Sequence, residues 1–147
     1  MVKFPVIVVI DDSEITRRIE RNIINGKVHD AIVYTFSSGS DLIENYQQIK
    51  PNIIILDNMF PVTETHAETG KDILTQIREI DNDVKIVIYS SQCSTSIINE
   101  LINLGADEYI VKPATAENLG KIICKYLDTD NTLRDVESFN KEKQWII

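Results

Sequence analysis

Five short apolar runs alternate with five helix-period patterns along this chain, and few folds accept that order. The first run, Pro5 to Ile10, is β-branched from Val6 onward, which suits a strand covered on both faces. Ala31 to Phe36, Ile53 to Leu56, Val84 to Tyr89 and Glu108 to Val111 follow. Between the first two runs, Ile15, Ile19 and Ile23 recur every four residues among Arg17, Arg18, Glu20 and Arg21. That spacing predicts an amphipathic helix closing at Asn25-Gly26. Ser38-Gly39-Ser40-Asp41 supplies caps for a second helix carrying Leu42, Ile43, Tyr46 and Ile49, with Pro51 at its exit. A third carries Ile73, Leu74, Ile77 and Ile80. A fourth runs from Ile97 to Leu104 with Gly105 just beyond it. The last carries Leu119, Ile122, Ile123, Tyr126 and Leu127.

Strand and helix alternating five times imply an α/β fold with a doubly wound parallel sheet. Right-handed crossovers and the flavodoxin-like order 2-1-3-4-5 then set strands 1, 3, 4 and 5 side by side. A length of 147 residues suits one domain with a proper core, and 43% hydrophobic with 26% charged residues is a globular composition. The net charge of −8 argues against a nucleic-acid-binding surface, which needs clustered Lys and Arg. No stretch approaches the length of a membrane span, and the N-terminus lacks a signal-peptide cleavage site. Cys93 and Cys124 have neither metal-ligand spacing nor a disulfide framework and read as reduced thiols. A cytoplasmic location is expected.

Three of the runs end on charge. The first meets Asp11-Asp12, the third meets Asp57, and the fifth meets Lys112-Pro113. In the predicted strand order these groups converge at the C-terminal edge of the sheet, where open α/β folds bind ligands. Three adjacent carboxylates repel one another unless a cation intervenes. Mg²⁺ suits them, because it takes oxygen ligands, retains waters and commonly bridges carboxylate to phosphate. Lys112 offers a point charge for a phosphoryl group, and Ser90 at the end of the fourth run adds a hydroxyl. Together they describe a phosphoryl-transfer site with Asp57 as nucleophile. Taken singly, each has a plainer explanation: a helix cap for Asp11-Asp12-Ser13, a turn for Asp57, a cap for Ser90, core packing for Tyr109.

The ordered set resembles the receiver domain of two-component response regulators, of the chemotaxis-regulator kind. It comprises Asp11-Asp12, Asp57, Pro61, Ser90-Ser91 and the stretch Leu104 to Pro113, and the resemblance spans residues 5 to about 127. It implies that Asp57 accepts a phosphoryl group from a sensor histidine kinase or phosphotransfer protein. It implies Mg²⁺, with Mn²⁺ as a substitute, held by Asp11, Asp12, Asp57 and the Met59 backbone carbonyl. Ser90, Ser91 and Lys112 would meet the phosphoryl group, Tyr109 would change rotamer on activation, and the Lys112-Pro113 bond would be cis. The output would go to a partner protein or a downstream effector domain through helix 4, strand 5 and helix 5, with a phosphorylation-dependent homodimer compatible. Self-phosphorylation from a donor and autodephosphorylation would be the only catalysis, with no direct nucleic-acid or membrane binding.

The expected division is residues 1–127 as receiver domain and 128–147 as a C-terminal linker or short tail. Val136, Phe139, Lys143 and Trp145-Ile146-Ile147 give the tail an amphipathic segment suited to docking. The loop after Asp57 departs from the family: Phe60 precedes Pro61, and Val62 to Thr69 form an insertion containing Glu64, His66 and Glu68. His66 reads as a solvated loop histidine. Met59 and Gln92 occupy positions that tune acyl-phosphate lifetime in the family and point opposite ways. Two alternatives stand beside the switch. A Mg²⁺-dependent phosphohydrolase with an Asp nucleophile would ordinarily place a second acid at Met59. A pseudo-receiver binding module would ordinarily lack one of the five site residues.

Overall fold

In the computed structural model, residues 4–57 and 69–128 are described below. Five strands, β1 (Val6–Ile10), β2 (Ile32–Phe36), β3 (Ile53–Leu56), β4 (Lys85–Ser90) and β5 (Glu108–Val111), alternate with five helices. These are α1 (Glu14–Lys27), α2 (Gly39–Ile49), α3 (Gly70–Ile80), α4 (Thr95–Asn103) and α5 (Ala116–Asp128). All pairings are parallel, as the alternation predicts, and the sheet order is β2-β1-β3-β4-β5, the flavodoxin-like order expected.

Because successive strand side chains face opposite ways, the central strands feed two cores. Val8, Ile10, Ile54, Leu56, Ile86 and Ile88 pack under α2, α3 and α4 against Leu42, Leu74, Ile77 and Leu101. Ile7, Val9, Ile53, Ile55, Val87 and Tyr89 pack under α1 and α5 against Ile24, Leu119 and Ile123. The residues of β1 and β3 from Ile7 to Ile10 and Ile53 to Leu56 are fully enclosed, which explains their unbroken apolar character.

Ser38 caps α2 through Asp41 N as the sequence suggests, while Thr69 and Asp72 form a reciprocal capping box on α3. Gly105 follows α4 with φ +116°, a left-handed position where a side chain would be strained. Two details of α1 differ from the sequence pattern. Asn25-Gly26 does not end the helix, which runs on to Lys27 and closes at Val28. Ile15 and Ile19 are exposed, and the buried residues are Glu20 and Ile24. A row spaced by four winds about 40° around the axis at each step. It therefore begins outside at Ile15 and reaches the core only near Ile23, which packs partly buried beside Ile24. Among the described residues no helix is long and apolar enough to cross a membrane.

Candidate functional site

The sheet itself delivers the charged groups to one place. Its parallel ladder continues one residue past the strands: Asp11 N–H donates to Phe36 O at 3.1 Å and Asp57 N–H to Ile10 O at 3.0 Å. On the far side, Lys112 N–H donates to Ser90 O at 2.8 Å. One oxygen from each of Asp11, Asp12 and Asp57 lies within 4.8 Å of the others. Asp11 and Asp57 are buried and Asp12 is exposed. Lys112 Nζ donates to Asp11 Oδ2 at 2.9 Å and stands 3.5 Å from Asp57 Oδ2.

The electrostatics follow from that crowding. Partial desolvation, a hydrogen bond with Asp11 and the Asp11 charge raise the Asp12 carboxyl above its ordinary pKa. Burial pulls the Lys112 ammonium down, but the hydrogen bond to Asp11 and the charges of Asp57, Asp11 and Glu20 outweigh it and leave its pKa raised. The ammonium also stands 5.2 Å from the Tyr89 ring centroid, a cation–π contact. The Tyr89 hydroxyl accepts from Ala114 N–H at 3.0 Å, just past the Lys112-Pro113 peptide, which is cis.

The remaining predicted residues take distinct places. Ser90 is fully buried at the end of β4, where its Oγ accepts from Gln92 N–H at 3.2 Å; Ser91 next to it is exposed. It does not cap α4, whose N-cap residue is Ser94. Tyr109 is half-buried on β5, and its hydroxyl donates to Gln92 O at 2.8 Å, tying β5 to the β4–α4 loop. Met59, Phe60, Pro61 and residues 62–68, including His66, lie outside the described residues, as does the tail from 129 onward.

Three contributors carry no sequence signal of their own. Arg17 Nη1 donates to the Asp11 carbonyl at 2.7 Å, bracing the turn into α1. Tyr89 reads as one more apolar strand residue. Glu20 reads as part of a polar helix face, yet it is 2% exposed. Burial, then the Asp11 charge, push its carboxyl up to about 8, with Lys112 opposing and Asp57 adding to the rise. In the unfolded chain this carboxyl ionises near its ordinary 4.5, so between there and about 8 the unfolded chain holds fewer protons than the folded protein. Stability from this group is therefore complete below about 4.5 and declines as pH rises toward 8. The stability gained by Glu20→Gln should grow across that window, reaching on the order of 3 kcal/mol. Urea unfolding of both proteins at a series of pH values checks this.

The donor set fits a hard divalent cation. Among the described residues it is all carboxylate and clustered, with the Lys112 ammonium beside it. Asp11, Asp12 and Asp57 would hold such an ion, which would neutralise repulsion and offset charge on an incoming phosphoryl group. Lys112→Met tests the balance. Removing the ammonium takes the Lys112 contact away from the buried Asp11 and Asp57 carboxylates, at an expected cost of about 2 kcal/mol in EDTA. Added Mg²⁺ should return most of that loss, as read from urea midpoints.

A five-stranded doubly wound sheet with this acidic centre and a lysine opposite defines the receiver class of two-component signalling. The family model described as response regulator receiver domain matches residues 7–124, and the chain belongs to that family. Transcriptional regulatory protein PrrA of Mycobacterium leprae is 32% identical over 108 residues, covering 74% of this chain and 43% of PrrA. Chemotaxis protein CheY of Thermotoga maritima is 28% identical over 107 residues, covering 73% of this chain and 84% of CheY. The matched region thus spans less than half of PrrA and most of CheY. A two-component response regulator from Clostridium difficile superimposes with a TM-score of 0.76 at 19% identity, over 86% of this chain and 98% of that one, a likeness of fold.

Proposed function

We propose that this receiver domain is a phosphorylation switch in which Asp57 takes a phosphoryl group from the phosphohistidine of a sensor kinase or phosphotransfer protein. The observation that carries the reading is the buried Asp57 carboxylate, clustered with Asp11 and Asp12 and 3.5 Å from the Lys112 ammonium. In the transfer a carboxylate oxygen of Asp57 attacks phosphorus, the O–P bond forms, and the P–N bond breaks. The electron pair returns to the departing imidazole, which picks up a proton from solvent. Lys112 then exchanges its Asp11 contact for phosphoryl oxygens, and Ser90 turns its hydroxyl toward them.

Residues 1–127 form the switch and 128–147 its tail or linker, and the protein works in the cytoplasm. Movement of Ser90 frees space for Tyr109, a two-state element that phosphorylation biases. The surface of α4, β5 and α5 carries the signal to a partner protein, an effector domain or a second copy. Exposed Ile102, Leu104 and Val111 on that surface suit a protein contact. Autodephosphorylation is the only turnover. Incubation with acetyl phosphate and Mg²⁺ should add the mass of one phosphoryl group, removable by hydroxylamine and absent in EDTA. No gain in the wild-type protein from either acetyl phosphate or a phosphorylated kinase would overturn the reading.

A further inference from the structure

Among the described residues Glu20 Oε2 is buried and meets no hydrogen-bond partner, although carboxylates are almost never enclosed unless paired. Its position gives the reason an acid sits there. Helix α1 starts directly after Asp11, Asp12 and Ser13, so its N-terminal end lies at the acidic centre. Side chains on a helix lean toward the N-terminus, which carries Glu20 back toward that centre. Arg17, one turn earlier on the same side, already reaches the Asp11 carbonyl. The charges bearing on Glu20 are those of the centre itself: Asp11, Lys112 and Asp57.

We propose that Glu20 is a positioning carboxylate for the cation of the acidic centre, accepting hydrogen bonds from water that the cation retains. The inference rests on the reading that the centre takes a divalent cation. Mg²⁺ sheds its waters reluctantly, and each retained water has protons to donate. Outer acceptors of this kind hold those waters in orientation and add negative charge that favours the ion. They also explain the cost borne without it, since an unpartnered buried acid destabilises the metal-free protein. An apolar side chain at this position would stabilise the fold and serve no cation.

Calorimetric titration of Mg²⁺ into wild type, Glu20→Gln and Glu20→Val, with no phosphoryl donor present, tests the assignment alongside melting curves in EDTA and in Mg²⁺. Both variants should melt higher than wild type in EDTA yet bind Mg²⁺ about 10-fold more weakly. Gln should lose less than Val, because its amide oxygen still accepts. Variants that melt higher while holding Mg²⁺ within twofold of wild type would show Glu20 to be only a misfit core acid, and would overturn the inference while leaving the cation reading intact. A wild-type protein that gives neither heat nor a melting shift with Mg²⁺ would overturn both.

Discussion

Asp57→Asn is expected to abolish phosphoryl uptake from acetyl phosphate or kinase, leaving no mass gain after incubation in Mg²⁺. An amide oxygen is a poor nucleophile beside a carboxylate, and Asn brings no negative charge to help hold a cation. The loss should come without unfolding. Asn has nearly the volume of Asp, and removing one charge relieves the repulsion among the three acids. In EDTA the variant should therefore melt at or above the wild-type temperature, and Mg²⁺ should raise that temperature less. Intact-protein mass spectrometry and paired melting curves separate the two effects. A full phosphoryl gain in the variant would place the acceptor elsewhere, with Asp11 and Asp12 the first to examine.

Arg78→Met should produce the largest loss of stability, about 2–4 kcal/mol, because it removes the donor side of a partly buried charge network. The guanidinium, near the end of α3, donates to Gly105 O through Nε at 2.9 Å and Nη2 at 2.7 Å. Nη1 donates to Val84 O at 2.7 Å and Asp81 O at 3.2 Å, and Nη2 to Asp107 Oδ2 at 3.0 Å. Asp107 in turn accepts from Ile86 N–H at 2.9 Å. One side chain thus fastens α3, the start of β4 and the α4–β5 corner that leads to Tyr109 and Lys112. Methionine preserves much of the packing but takes the Arg78 donors away from the Gly105, Val84 and Asp81 carbonyls and from Asp107, which keeps the Ile86 N–H. Arg78→Lys should recover only part of the loss, since an ammonium cannot reproduce the planar fork. Chemical denaturation provides the measurement, and a change below 1 kcal/mol for Arg78→Met would contradict this account. The same contact closes the corner to substitution at Gly105, where an added Cβ would meet Arg78 Nε at 3.0 Å on top of the positive φ.

Much of the architecture was legible because burial on both faces leaves a simple trace. β1 and β3 are enclosed strands, so their residues are apolar without interruption, and five short apolar runs separated by helix-period patterns mark a doubly wound parallel sheet, whose order is 2-1-3-4-5. Asp11, Asp57 and Lys112 were legible for the complementary reason: a charge directly after a buried strand marks the point where the chain emerges. Helix α1 was harder to read. Its isoleucine row at spacing four looks like a core face, yet Ile15 and Ile19 face solvent. Arg78 and Glu20 were illegible for another reason. Each is an ordinary helix residue until the elements around it enclose it.

The sequence by itself determined the α/β class, the order of elements and the group of charged residues at the ends of the strands, since periodicity and chain order are local properties. Only the tertiary structure decided that Lys112 pairs with Asp11 more closely than with Asp57, that Arg78 locks the α4–β5 corner, and that Glu20 is buried. Those contacts join residues far apart along the chain or depend on which side of a helix meets the sheet. Burial and charge acquire their energies only when distant segments exclude water together.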